Sequence, residues 1–247
     1  MSLPVITLLT DFGTADYFVG AVKGAILSVN LSAVIVDITH EIPPQDIEAG
    51  AFTLLAAYKT FPAGAIHVAV VDPGVGSTRR PVIVSANEQF FVGPDNGLFT
   101  YIYDREPSHR IFHVTSDRYF RPSVSTTFHG RDIFAPVAGA LSNGVDIEEF
   151  GAEINDEVRL PSLETPLRII HIDRFGNCVT NITRERMRAS LVVNGRTISE
   201  FREFYGEGDN ESLFGIWGSA GFLEISVNGG SAAKVLDVKR GDEVSFT

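Results

Sequence analysis

Over the first 145 residues, short apolar runs alternate with segments of helical period, and this alternation restricts the fold more than any other feature of the chain. Residues 5–9 (VITLL) read as a buried strand, 16–29 as a helix, 33–39 as a strand, 46–61 as a helix opened by Asp46, and 65–73 as a third strand. A β-α-β-α-β order calls for a parallel sheet with right-handed crossovers. Residues 81–86 and 89–93 read as a hairpin turning at Asn87-Glu88. Residues 98–105 and 130–144 read as further helices, the second closed by Asn-Gly.

The pattern changes near residue 152. Residues 153–166 are polar, contain two prolines and show no period, which marks a linker. Beyond it the segments LRIIHID, NCVTNI, LVVNG, FLEISV and KVLDV read as strands separated by Asn-Gly and Gly-Gly turns. The expectation is an α/β N-terminal domain over 1–152 with a mainly parallel sheet, a connector over 153–166, and a small C-terminal antiparallel β barrel or sandwich over 167–247.

The net charge of −11 argues against nucleic-acid binding, which needs a basic face. The single cysteine, Cys178, excludes an internal disulfide and argues against structural zinc. No basic segment runs into an apolar one at the N-terminus, and no apolar run reaches eighteen residues. A cytoplasmic protein, neither secreted nor membrane-spanning, is the expectation.

Three stretches place charged or hydrogen-bonding side chains beside glycine or proline at element boundaries: VVDPGVGSTRRP (70–81), PDNG (94–97) and TFHGRDIF (127–134). In an open parallel sheet, ligands bind beyond the carboxyl ends of the strands. Asp11, Asp37 and Asp72 fall at such ends, and Asp95 and Asn96 follow the strand at 89–93. Each alone is an ordinary turn former; their convergence on one edge favours a site. Asp72, Arg79 and His129 supply the acid, cation and imidazole with which a buried water can become a nucleophile. Gly74 and Gly76 would let backbone amides approach a ligand. The segment is neither a dinucleotide fingerprint nor a phosphate loop. If the chain is extended after Ser77, the adjacent Arg79 and Arg80 point opposite ways and only one enters the site. His40 ends the second strand and has the best position among the other histidines. Asp11 and Asp16 bracket a glycine turn suited to holding a ribose diol. In the C-terminal part, Asp173, Asn177 and Asn181 surround a glycine turn, and SAGFLEISVNGG (219–230) pairs a strand with a glycine-rich turn.

Taken together, TDFGTADYFVG, DITHEIPPQDIEAG, VVDPGVGSTRRP, GPDNG, TFHGRDIFAP, IDRFGN and the C-terminal NGG segment, in that order, resemble the S-adenosyl-L-methionine (SAM) hydroxide adenosyltransferases, described as SAM hydrolases and related to the SAM-dependent fluorinase and chlorinase. The resemblance implies hydrolysis of SAM to adenosine and L-methionine, and a homotrimer with sites between neighbouring subunits. It implies no metal and no cofactor beyond the substrate. Asp72, Arg79 and His129 match the water-handling triad. Asp11 matches the carboxylate on the ribose hydroxyls, Asp173 and Asn177 match contacts to the amino-acid part, and Ser219 falls near another. Asn228 and Gly229 fall where the adenine is met, and Phe201 near an aromatic that packs on it. The halogenases have an aromatic at the place of Asp72, a halide-contacting serine at Gly130 and a tryptophan at Gln45, so all three positions favour water over halide. Which of Asp72 and His129 is the base stays open. A SAM-dependent halogenase, a non-catalytic SAM or adenosine sensor and a metal-dependent phosphohydrolase are the competing readings.

Overall fold

The β-branched and leucine-rich runs of β1 (Val5–Thr10) and β3 (Ile66–Val70) are buried on both faces, as strands flanked by helical layers must be. The computed structural model describes residues 3–207 and 212–247. These strands lie in a seven-stranded sheet with β2 (Val34–Thr39), β4 (Pro81–Ala86), β5 (Gln89–Pro94), β6 (Arg110–His113) and β7 (Glu153–Ile154), in the order β2-β1-β3-β5-β4-β6-β7. The first four strands in that order are parallel; β4, β6 and β7 add on antiparallel. The sheet is therefore mixed. The turn between β4 and β5 has positive φ at both Asn87 and Glu88, the twist a two-residue hairpin needs.

Helix α1 (Phe18–Val29) buries Val22, Ala25 and Ile26, one stripe at helical spacing. It packs on α4 (Ala135–Ser142), whereas α2 (Ile47–Ala57) packs on α3 (Thr100–Arg105). The Asp46 carboxylate accepts from the Ala49 N–H at 3.0 Å, the cap its sequence position called for. Because β2 lies on one side of β1 and β3 on the other, the order of the strands reverses between β1 and β3.

The chain divides into two compact units, Met1–Pro161 and Ser162–Thr247. The polar stretch 153–166 is only partly a connector. Its first two residues form β7, and Asp156, Val158 and Leu160 are hydrogen-bonded to Arg80, Asp95 and Thr100. A two-residue strand is too short to show a period, and prolines obscured the rest.

The second unit holds two sheets. One has five strands, β12 (Phe201–Arg202), β13 (Leu213–Trp217), β14 (Leu223–Val227), β9 (Cys178–Thr180) and β8 (Ile169–Ile172), in that order; the other joins β11 (Arg196–Ile198), β10 (Leu191–Val193) and β15 (Val244–Phe246). All pairs are antiparallel except the short β12–β13 contact. Ile169, Cys178 and Ile225 from the first sheet share a core with Leu191, Val193 and Val244 from the second. Among the described residues neither sheet closes on itself, so the barrel expectation is not met. KVLDV is not a strand: its first three residues are the last of α5 (Ala232–Leu236), which is capped by the Ser231 hydroxyl accepting from the Lys234 N–H at 3.3 Å. Five residues are too few to separate the two periods, and the serine cap decides for helix.

Candidate functional site

The reversal between β1 and β3 opens a crevice at the carboxyl ends of these two strands, the place where doubly wound sheets take ligands. Thr10 pairs with Val70, so Asp11 and Asp72 leave the sheet side by side. A cavity of about 320 Å³ lies there, lined by Asp11, Gln45, Asp72, His129 and the rings of Phe12 and Phe128, among others. Phe12, Phe18 and Phe128 pack edge-on or tilted at centroid separations of 5.3 to 5.9 Å and give the cavity an apolar wall. Each stands one or two residues before a glycine, in TDFG, DYFVG and TFHG. Their role as a wall needed the fold to bring them together.

Asp72, Arg79 and His129 meet. Arg79 Nε donates to Asp72 Oδ1 at 2.9 Å and Arg79 Nη2 donates to Asp72 Oδ2, a two-pronged ion pair. Arg79 Nη2 also contacts His129 Nδ1 at 2.8 Å. A guanidinium only donates, so Nδ1 is the acceptor and the neutral imidazole carries its proton on Nε2. Burial, and after it the Arg79 cation, hold the His129 pKa below the ordinary histidine value, against the opposing pull of Asp72 and Asp132. The Asp72 and Arg79 side chains are only 5% and 9% exposed. At such burial every donor needs a partner, yet Arg79 Nη1 has none among the described residues.

Two local devices bring these side chains together. Gly76 has φ +78°, and a methyl group there would lie 2.2 Å from the Thr126 carbonyl oxygen. Glycine thus lets the loop after β3 sit directly against the loop that carries His129; the approach is loop to loop rather than loop to ligand. His129 in turn stands at the head of a wide π turn, Gly130–Phe134, before α4. Asp132 in that turn is fully buried and accepts from Arg131 and from the Ser125 N–H at 2.9 Å, tying down the preceding loop.

Arg80 diverges from Arg79, as alternation requires. It donates to Asp95 Oδ2 at 2.8 and 2.6 Å and to Asp156. Asp95 also accepts from the Val158 N–H at 2.8 Å, and Asn96 Nδ2 donates to the Val71 carbonyl at 2.9 Å. Neither Asp95 nor Asn96 is among the residues lining the cavities described here; both fasten the ends of β3 and β5. Asp11 accepts from the Gln45 N–H at 2.8 Å. His40 is buried, with Nδ1 2.8 Å from the Thr10 hydroxyl and Nε2 3.1 Å from Asp37 Oδ1, so it shapes the Asp11 turn from behind. Asp37 pairs with Lys23.

The second unit has its own cavity, about 620 Å³, lined by Asp173, Phe175, Asn177, Tyr205, Gly229 and Ser231, among others. Asp173 Oδ1 accepts from the N–H groups of Phe175 and Asn177 at 2.9 Å, and Oδ2 from Asn177 Nδ2 at 2.8 Å, so the carboxylate builds the turn as it faces the cavity. Asn228 is half-buried beside Gly229. Ser219 is exposed in the β13–β14 turn, and Phe201 packs over Gly215 at the sheet edge; neither is on the cavity wall. The aromatic residues on that wall are Phe175 and Tyr205. Tyr205 opens a single short helical turn, Tyr205–Glu207, too short to carry a periodic signal that would single it out.

Residues 6–151 match the SAM hydroxide adenosyltransferase N-terminal domain and residues 167–245 the C-terminal domain. A protein of Methanocaldococcus jannaschii named (R)-S-adenosyl-L-methionine hydrolase is 41% identical over 99% of this chain and 96% of its own. The crystal structure of an uncharacterized conserved protein from Thermotoga maritima superposes with a TM-score of 0.91 at 34% identity, covering 97% of this chain and 98% of that one. A fluorinase of Actinopolyspora mzabensis is more distant, 23% identical over 100% of this chain and 98% of its own. With both domain signatures matched in order along nearly the whole length, the chain belongs to the SAM hydroxide adenosyltransferase family.

Proposed function

We propose that the protein hydrolyses S-adenosyl-L-methionine, in the R configuration at sulfur that its relative's name specifies, to adenosine and L-methionine. The observation that carries this reading is Arg79 Nη1, a buried donor without a partner among the described residues, on a guanidinium whose other groups are fixed by Asp72 and His129. An oxygen held by that donor would be a water beside a carboxylate.

The sulfonium makes methionine a good leaving group, so the enzyme must chiefly supply the nucleophile. Water attacks ribose C5′, the C5′–S bond breaks with its electron pair going to sulfur, and one proton leaves the attacking oxygen. With His129 Nδ1 engaged by Arg79, the Asp72 carboxylate is the base that takes this proton, and Arg79 stabilises the hydroxide character that develops. Hydroxide meeting a sulfonium neutralises two charges, and the Phe12, Phe18 and Phe128 wall favours that step by excluding bulk water. No step calls for a metal or a further cofactor. Asp11 takes the ribose hydroxyls. Asp173, Asn177 and Ser219 serve the amino-acid part, Asn228 and Gly229 the adenine, with Tyr205 rather than Phe201 as the aromatic contact. The working form is a cytoplasmic homotrimer whose sites are completed by a neighbouring copy.

Incubation with each sulfonium epimer in heavy-oxygen water, with and without chloride, tests the reading by mass analysis of the nucleoside. Adenosine carrying the heavy oxygen is expected. 5′-Chloro-5′-deoxyadenosine would instead establish a halogenase, which Asp72 and Gly130 oppose, and binding without product would establish a sensor.

A further inference from the structure

Strand β14 is buried on both faces. Leu223, Ile225 and Val227 enter the core, while the alternate residues Glu224 and Ser226 are also shut off from solvent. A carboxylate in the middle of a buried strand is costly and needs a reason. Space for it is made by Gly218, where a methyl group would lie 1.9 Å from Glu224 Oε1. Its hydrogen bond comes from the Tyr205 hydroxyl, which donates to Oε2 at 2.8 Å. Burial and then Glu224 push the Tyr205 phenol up to about 12, so at neutral pH it keeps its proton and remains the donor. Tyr205 lines the C-terminal cavity with Asp173, Phe175 and Asn177; Glu224 is not among the lining residues.

We propose that Glu224 is a positioning residue: through the Tyr205 hydroxyl it fixes the phenol ring on the cavity wall, where the ring meets the bound substrate. The proposal rests on the hydrolase reading for the identity of that substrate. Among the described residues, the charged or titratable groups around Glu224 are Tyr205, from the segment after β12, and Asp173, from the turn between β8 and β9; its strand partners Val179 and Ile216 are apolar. Burial first, and Asp173 with it, raise the Glu224 carboxyl above the ordinary range, while Tyr205 opposes the shift. Acidification therefore weakens the hold on Tyr205 earlier than it would for a surface glutamate.

The test is steady-state hydrolysis of SAM by Tyr205→Phe, Glu224→Leu, Glu224→Gln and the Tyr205→Phe/Glu224→Leu double variant, with thermal melts of each. Removing the bond is expected to raise KM about fivefold with kcat within about twofold. The double variant should be no worse than either single one, because both remove the same bond. Glu224→Gln, which keeps an acceptor, should recover most of the loss. Wild-type KM should rise as pH falls toward the Glu224 titration, and Glu224→Gln should show no such rise. An unchanged KM in Tyr205→Phe, or losses confined to melting temperature or kcat, overturns the proposal. If Glu224→Leu does not fold, Tyr205→Phe and Glu224→Gln decide alone. A wild type that fails to turn over SAM would instead sink the hydrolase reading; calorimetric binding of adenosine to the same variants then decides the positioning role.

Discussion

His129 sets how the site responds to acid. Its folded pKa is lowered by burial and by Arg79, so between the ordinary histidine value of about 6.5 and that lower value the unfolded chain takes up a proton that the fold refuses. Stability contributed by the neutral imidazole is present above about 6.5 and lost as pH falls through the folded value. Protonation also removes the Nδ1 acceptor and sets two cations against each other. We expect kcat/KM to be level from about pH 7 to 8 and to fall only below about 6.5; an acid limb centred above that value would contradict the arrangement. Asp72→Asn keeps the shape of the carboxylate but removes the base, and should lower kcat by about 10²-fold or more, with SAM affinity largely retained. His129→Gln should be milder, because it keeps an acceptor for Arg79. Equal losses in the two variants, measured by single-turnover kinetics, would reject Asp72 as the base. At this scale the sequence was most legible where glycine or proline fixed the backbone: Asp72, Arg79 and His129 converge as their motifs implied, and alternation separated Arg79 from Arg80. Asp95 and Asn96 stood out for the same reason and turned out to fasten strand ends, because a turn signal does not reveal its partner.

Elements hold the site through two contacts. Gly76→Ala forces a side chain into a left-handed backbone and against the Thr126 carbonyl at 2.2 Å. It should destabilise the protein by about 2 kcal/mol or more and separate Arg79 from His129; a melt and a turnover assay both unchanged would refute the docking of these loops. Within the sheet, β1 and β3 share a buried polar contact, Thr7 Oγ1 to His67 Nδ1 at 2.7 Å. Burial lowers the His67 pKa to about 4, opposed by its Gln89 contact. The fold thus loses stability as pH falls from about 6.5 toward 4, by up to about 3 kcal/mol at roughly 1.4 kcal/mol per unit. An NMR titration that found the His67 imidazole protonating near its ordinary value would overturn this. The strong periods of α1, α2 and β3 were readable from sequence. The strand β7 and the helix α5 were not, since two to five residues cannot distinguish one period from another.

At the scale of the whole molecule, the start of the edge strand β2 is apolar and open. Leu31 is 86% exposed and Leu3 61%, beside a partly exposed Val34. An edge of that kind is normally blunted or covered. The proposed homotrimer predicts a mass by light scattering of three chains of 26.9 kDa each. Val34→Lys would weaken association if this edge is the contact; a monomeric wild type at micromolar concentration would remove the basis for sites shared between copies.

The sequence by itself determined the order of elements, the change from mixed α/β to mostly β architecture, and the chemical types gathered in the DPGVGSTRR and TFHGRD motifs, because period and turn chemistry are local properties of the chain. Only the tertiary structure decided that the strand order reverses between β1 and β3, that Gly76 faces the Thr126 carbonyl, and that Tyr205 rather than Phe201 lies on a cavity wall. Those outcomes depend on contacts between residues far apart in the chain, and no local pattern encodes which partner a turn or an aromatic ring will meet.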